Sequence, residues 1–321
     1  MPIAAPAEER NAIMQISYAQ NLEDHHLQLA FAGRPLGFYV DIGAGHPVAD
    51  NVTFALYEAG WRGIVVEPQA DLARLYGPIR PRDTVVSALV GRTCGDADFH
   101  VVDRLHGFST TIEKHAAGAQ AFGAGYNTTR LPMLTLAEMC DRHGVSEIDV
   151  LKIDVEGAEA DVLAGNDWSR FRPKVVLAEA IAPGTGEPNW AGWEPYLVSN
   201  GYRFVLFDEL NRFYVAEEQQ DLLQRFPREK ADWGAVIHGY EIGRAHEPRH
   251  PDHALAMEFA KGLWASLPLL EPALVARLLA RGRGLPESEA AGLAATLDAD
   301  AVRAALGRIA AGYDGGQLFD D

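Results

Sequence analysis

The sequence predicts an α/β fold in which a doubly wound, seven-stranded sheet takes up most of the chain and a helical appendage follows it. Three observations point there. The run Phe38-Tyr39-Val40-Asp41-Ile42 reads as a buried apolar strand that enters the glycine turn Gly43-Ala44-Gly45 and then a helical segment near Asn51 to Ala59. A second apolar strand, Gly63 to Val66, ends in Glu67, 26 positions beyond Asp41. Later apolar runs at 148–154 and 175–179 again deliver carboxylates, Asp154 and Glu179, to their carboxyl ends. Strands alternating with helices in this way form a parallel, Rossmann-like sheet covered on both faces, with its ligand edge at the carboxyl ends of the strands.

Taken in order, residues 1–15 read as a flexible tail, because small and charged residues alternate there without an apolar period. Leu22, His26, Leu27 and Ala30 follow at helical spacing, which suggests a helix lying as a lid across the mouth of the site. Its alternative is a helix packed on the sheet, and His25-His26 is expected on the helix surface. Glycines at 43 and 45 allow a tight turn and close approach of backbone to ligand. After Glu67-Pro68 come a short helix (71–76) and a third strand over 83–90, with Ser87 and Ala88 near its end as the wall for a purine base. Phe99 to Val102 forms a further strand, and 106–126 reads as an active-site loop. Thr135 with Glu138 three residues later forms a capping box for the next helix. The strand 148–153 leads through Asp154, Glu156 and Gly157 into another helix, and 202–207 with 212–215 closes the sheet. From 217 to 321 the composition shifts towards Ala, Leu, Arg and Glu, with helical periodicity over 254–267, 272–281 and 299–311.

Composition excludes several classes. The chain has 321 residues, 48% of them hydrophobic, which suffices for one large α/β core with an appendage. A net charge of −17 repels phosphate backbones, so nucleic acid is not expected as a partner. The two cysteines, Cys94 and Cys140, fit a reducing compartment and read as small core residues. No stretch approaches the roughly 18 apolar residues of a membrane span, and the N-terminus lacks a basic start and apolar run, so a cytoplasmic location is expected.

In this order and spacing, Ser17-Tyr18-Ala19-Gln20 with Glu23-Asp24, Val40-Asp41-Ile42-Gly43-Ala44-Gly45 and Gly60-Trp61-Arg62-Gly63-Ile64-Val65-Val66-Glu67-Pro68 resemble the FkbM-type methyltransferases. So do Leu134-Thr135-Leu136, Ile148 to Gly157, and Leu210-Asn211-Arg212-Phe213-Tyr214-Val215. The resemblance covers residues 16–216 and implies a methyltransferase sheet, S-adenosylmethionine as donor and a hydroxyl of a sugar, glycan or glycosylated natural product as acceptor. Many relatives carry Asn or a second acidic residue after the glycine turn, where this chain has His46-Pro47.

Methyl transfer from a sulfonium needs alignment of donor and acceptor and removal of the hydroxyl proton. On the donor side Asp41, Gly43 and Gly45 are expected beside the methionine portion, Glu67 and Pro68 beside the ribose, and Ser87 and Ala88 beside the adenine. On the acceptor side Asp154 is the leading base and also borders the donor, with Glu156 and Glu179 close by. Paired carboxylates raise one another's pKa; the alternative is that Asp154 and Glu156 only cap and orient the turn. Lys152 points to the same side as Asp154 and can hold its charge. The same three carboxylates are a ligand set that Mg²⁺ favours. His106 and His46 are rival bases. Two other readings stand beside this one. A nicotinamide-dependent oxidoreductase would want a third glycine where Val48 stands, and a catalytically silent subunit would bind a partner through the C-terminal helices, which are also the expected homodimer contact.

Overall fold

The computed structural model describes residues 16–103, 105–182, 186–238, 245–248, 250, 252–283, 285 and 287–311. The tail 1–15 lies outside the described residues. The chain divides into two compact units, Gln15–Glu241 and a second that contains Ile242–Asp321. The edge of the first unit therefore falls some way beyond the composition shift at 217.

The first unit begins with β1 (Ile16–Ser17), α1 (Glu23–Ala30), β2 (Phe38–Ile42), α2 (Phe54–Glu58), β3 (Arg62–Val66), α3 (Ala70–Ile79) and β4 (Thr84–Val86). An insert follows, made of β5 (Leu89–Val90), β6 (Gly95–Val102), α4 (Glu113–Gly118) and β7 (Tyr126–Leu134). The chain returns through α5 (Leu136–Arg142), β8 (Val150–Ile153), α6 (Glu159–Ala164), β9 (Val175–Glu179) and α7 (Glu194–Ser199). It ends with β10 (Tyr202–Phe207), β11 (Asn211–Ala216), α8 (Gln220–Arg225) and β12 (Ile237–His238). Seven strands form one mixed sheet in the order β10-β11-β9-β8-β2-β3-β4, with β11 antiparallel to both its neighbours.

Side-chain alternation divides the core into two layers. Val40, Ile42, Leu151, Ile153 and Val176 pack with Leu136, Met139, Val162 and Leu163 of α5 and α6. Tyr39, Val65, Val150, Leu177 and Phe213 face the other way, onto Leu27, Leu56, Tyr76 and Leu222 of α1, α2, α3 and α8. Both faces of the sheet are thus covered, as its nearly continuous apolar strands require.

Several expectations change. The third strand is shorter than 83–90: it stops at Val86, and Leu89–Val90 leaves the main sheet to pair with β7. β7 itself was not predicted, because most of its residues face solvent and its threonines, arginine and proline break any apolar alternation. The segment 106–126 contains α4 and two short helical turns rather than a plain loop. The first helix is no lid: Glu23, Asp24, His26, Leu27 and Ala30 of α1 are buried against the sheet layer. His26 is correspondingly not a surface residue. Its Nε2 accepts the Ala231 N–H at 2.8 Å, and burial, with the charges of His25 and Lys230, pushes its pKa down to about 4. Cys140 is buried, but Cys94 is exposed. The capping box is present in part, since Thr135 Oγ1 accepts the Glu138 N–H at 3.1 Å while the Glu138 carboxylate turns to Arg142.

The second unit holds α9 (His253–Ser266), α10 (Pro272–Gly282), α11 (Glu287–Thr296) and α12 (Ala299–Ala311), of which α11 was not anticipated. Among the described residues no single helix is long and apolar enough to cross a membrane.

Candidate active site

The carboxyl ends of β2, β3, β8 and β9 open into a cleft of about 770 Å³. Each wall follows from local backbone chemistry. At the end of β2 the turn passes so close to β8 that a Cβ on Gly43, at φ 74°, would lie 1.8 Å from the Asp154 carbonyl oxygen. Gly43 is therefore required by the packing of two strand ends. Gly45 differs: at φ 63° it lines the cleft, and a Cβ there would meet no atom within 4 Å. Its N–H donates to Glu67 Oε2 at 2.8 Å, and the Gln69 N–H donates to Glu67 Oε1 at 2.7 Å. These bonds fix the Glu67 carboxylate at the cleft wall, where burial pushes its pKa up to about 7 against the opposing pull of the two N–H groups. Pro68 lines the cleft beside it.

Asp41 sits elsewhere. Strand alternation turns its side chain away from the cleft to the layer of Tyr39 and Val65, where it is fully buried. Thr53 Oγ1 donates to Asp41 Oδ2 at 2.7 Å, and Lys152 Nζ lies 3.4 Å from Oδ1. Lys152 also donates to the Gly43 carbonyl at 2.5 Å and stands 3.4 Å from Asp154 Oδ2. Burial opposes the lysine's charge, but Asp41 and Asp154 outweigh it and hold its pKa above the ordinary value. Asp41 thus acts on the turn from beneath and does not line the cleft. Ser87 is likewise exposed outside the cleft, while Ala88 lines it together with Leu89, Val90 and Phe99. The break after Val86 decides this, because the chain redirects as it leaves the main sheet.

Across the cleft the ends of β8 and β9 bring Asp154, Glu156 and Glu179 together, with one oxygen of each within 4.8 Å of the others. Glu156 has a left-handed backbone, φ 56°. Its carbonyl accepts Thr110 Oγ1–H at 3.0 Å and His115 Nδ1–H at 2.9 Å, so the insert clamps this turn. Burial first, then the Asp154 carboxylate, push the pKa values of Glu156 and Glu179 well above the carboxylate range. Glu179 Oε2 is buried with no hydrogen-bond partner among the described residues. Glu159 does not join the trio: its Oε1 accepts the Val155 and Gly157 N–H groups at 3.3 and 3.0 Å and caps the start of α6. The insert adds Gly107, Phe108, Ser109 and Thr111 to the wall. His106 falls in the helical turn His106–Phe108, but its side chain lies outside the described residues. His46 does line the cleft, with Nδ1 accepting the Val48 and Ala49 N–H groups at 3.1 and 3.0 Å.

Residues 41–204, just over half of the chain, match the family model of the methyltransferase FkbM domain. The chain belongs to this family. The matched span of the FkbM domain starts at Asp41 and includes the glycine turn, Glu67, the insert and the acidic trio. No curated protein matches the sequence. Among solved structures, the chain is similar to that of CalO1, a methyltransferase in calicheamicin biosynthesis, in its S-adenosylhomocysteine-bound form. It shares 17% identity at a TM-score of 0.30, covering 60% of this chain and 54% of that one. The FkbM-domain chain therefore spans about half the length of that neighbour.

Ser109 and Thr111 fall in the segment 106–126 read as an active-site loop, whereas Gln20, Val90, Phe99, Phe108 and Leu210, also in the cleft wall, were given no site role. Gln20 lay inside a singled-out motif without a role, and Phe99 began a recognised strand. Leu210 also lay inside a singled-out motif, Val90 ended the expected third strand, and Phe108 lay within the expected active-site loop without being singled out.

Proposed function

We propose that this chain is an S-adenosylmethionine-dependent O-methyltransferase of the Rossmann-like, seven-stranded type, acting on a hydroxyl of a sugar, glycan or glycosylated natural product. One observation carries the reading: within an FkbM methyltransferase domain, Glu67 is held at the cleft wall beside an open glycine, Gly45, facing Ala88, Val90 and Phe99. A carboxylate with lone pairs left over after two N–H bonds suits ribose hydroxyls, and a small apolar wall suits a purine. S-adenosylmethionine would supply an electrophilic methyl group when bound there. Asp154, which borders the cleft with its side chain 36% exposed, is the residue to take the acceptor's proton, with Lys152 holding its charge in place. Carboxylates, the Ser109 and Thr111 hydroxyls and the Phe108 ring are the chemistry that recognises a hydroxylated acceptor.

A second feature of the same reading is a divalent ion. The buried Glu179 Oε2, unpartnered among the described residues, stands beside Asp154 and Glu156 and favours it, since oxygen ligands in this number suit Mg²⁺. The three residues would hold the ion, which would lower the pKa of a hydroxyl bound to it.

Isothermal titration with S-adenosylmethionine and S-adenosylhomocysteine, with NAD as control and with Mg²⁺ present or absent, tests the proposal. Micromolar binding of the sulfur ligands alone is expected, and Glu67→Ala should weaken it by roughly a hundredfold, a loss of about 2.7 kcal/mol. Binding of NAD instead would favour the oxidoreductase. Binding of neither ligand by folded protein would favour the silent subunit.

A further inference from the structure

The glycine-turn wall is short of main-chain donors. The N–H groups of Gly43 and Ala44 both donate to the Val66 carbonyl, that of Gly45 to Glu67, and that of Asn51 to the Tyr18 carbonyl. Those of Val48 and Ala49 donate to His46 Nδ1. Between Gly43 and Asn51 only the amides of His46 and Asp50 stay uncommitted among the described residues. The loop therefore cannot meet an anion with a row of backbone N–H groups, as a glycine-rich turn ordinarily does.

Two side chains supply what the backbone lacks. Because His46 Nδ1 accepts two N–H groups, it carries no proton, and the neutral ring must bear its proton on Nε2. Burial pushes the His46 pKa down, in keeping with a neutral ring. Nε2 has no partner among the described residues, and the ring lines the cleft. Gln20 lines it too, exposed and with no side-chain hydrogen bond among the described residues. Asn51 ties the two segments together, its N–H reaching the Tyr18 carbonyl and its Nδ2 the His46 carbonyl, both at 3.0 Å. Asp50, the nearby carboxylate on this wall, is exposed at the rim and open to screening by solvent.

We infer that the imidazole Nε2–H of His46 and the carboxamide of Gln20 together receive the amino-acid carboxylate of S-adenosylmethionine, an inference that rests on the donor reading above. Of the donor's charged groups this is the only anion. The facing walls carry Glu67, Asp154, Glu156 and Glu179, and the Lys152 ammonium among them is already held by Asp41, Asp154 and the Gly43 carbonyl. His46 is accordingly a donor of hydrogen bonds to ligand and not the base, since its free nitrogen is already protonated when the ring is neutral.

The test compares S-adenosylhomocysteine with 5′-methylthioadenosine, which keeps adenine, ribose and sulfur but lacks the amino acid. His46→Asn preserves an acceptor for the Val48 and Ala49 N–H groups while removing the Nε2 donor. Titration calorimetry of this variant and of Gln20→Ala should show S-adenosylhomocysteine weakened roughly tenfold in each, and methylthioadenosine changed less than about twofold. Nitrogen-15 spectra of the ligand-free protein should report His46 as the Nε2–H tautomer. Equal losses for both ligands, no loss for S-adenosylhomocysteine, or the Nδ1–H tautomer would each overturn the inference. Wild-type protein that binds neither ligand would overturn it together with the donor reading, and binding of both ligands by wild type leaves that reading intact whatever the variants do.

Discussion

Asp41 and Asp154 come from the two most informative stretches of the sequence, each an apolar strand ending near an aspartate and a glycine, and their fates are opposite. Asp41 is the fourth of five residues in β2 and pairs in register with Lys152 on β8, so both side chains enter the same buried layer. Asp154 follows the last residue of β8, beyond the ladder, and opens to the cleft. One ammonium, 3.4 Å from each, serves both. The comparison teaches that position relative to the strand's end, more than residue type, separates a carboxylate that holds the site from one that can act in it. A residue within the ladder obeys alternation, and a residue past it is free to turn towards ligand.

The largest effect should come from removing the shared cation. Lys152→Met leaves Asp41 as a buried charge with, among the described residues, only the Thr53 hydroxyl, a change of the kind that costs about 3–5 kcal/mol. Thermal unfolding should show a drop of roughly 10 °C. Adding Asp41→Asn should recover most of that stability without restoring turnover, because Asp154 still lacks its partner. If the double variant is no more stable than Lys152→Met, the two aspartates do not divide the cation's work as described.

The two glycines of the turn sharpen the same contrast between what the strands need and what the cleft needs. Gly43→Ala must push against the Asp154 backbone and adopt a left-handed φ, for roughly 2–4 kcal/mol in stability. Gly45→Ala meets no atom and carries only the conformational cost, about 1 kcal/mol, but its methyl enters the cleft. Melting curves and S-adenosylhomocysteine titrations should therefore separate the pair: Gly43→Ala mainly loses stability, and Gly45→Ala mainly loses affinity. The reverse pattern would mean that the close approach of β2 to β8 is not what selects glycine at 43.

Much of this was legible in the chain because strands ending in carboxylates repeat along it. The trio Asp154, Glu156 and Glu179 follows from two strand ends and one turn, all local in sequence, and β8 beside β9 brings them together. The depth of Asp41 was not legible, because an aspartate one place before the end of an apolar strand reads the same whether it faces ligand or a buried lysine. Ser87 failed for a related reason: its strand stops at Val86, and the β-branched run that continues to Val90 hides a change of sheet. The acceptor wall was legible as an active-site loop over 106–126 but not in its fold, since Phe108, Ser109 and Thr111 sit on an insert whose exposed, polar strand β7 carries no period of its own.

The smallest effect concerns pH and divides buried carboxylates in an ion pair from those held by hydrogen bonds with no ion pair among the described residues. Glu67 depends on two backbone N–H groups, and Glu159 likewise caps a helix start. Glu23 accepts from the Asn21 N–H and Asn211 Nδ2, and Asp24 from Ser17 and the Tyr18 N–H. Burial is the leading cause in each case, and it raises Glu23 to about 8, Glu67 and Glu159 to about 7, and Asp24 to about 6, from ordinary values of 4.5 for the glutamates and 3.8 for the aspartate. Between those ordinary values and the raised ones the folded chain binds more protons than the unfolded chain, so stability falls as pH rises. The melting temperature should consequently be higher at pH 5 than at pH 8 by a few degrees, on the order of 1–3 kcal/mol after relaxation around the charges. Below about pH 4 the trend should turn over as Glu147 and Glu218, held down by Lys174 and Arg172, become protonated. Glu67→Gln, which keeps one acceptor oxygen and removes the titration, should flatten part of the slope between pH 5 and 7. A melting temperature that rises from pH 5 to pH 8 would mean that these carboxylates find cations in solution that the folded chain does not itself provide.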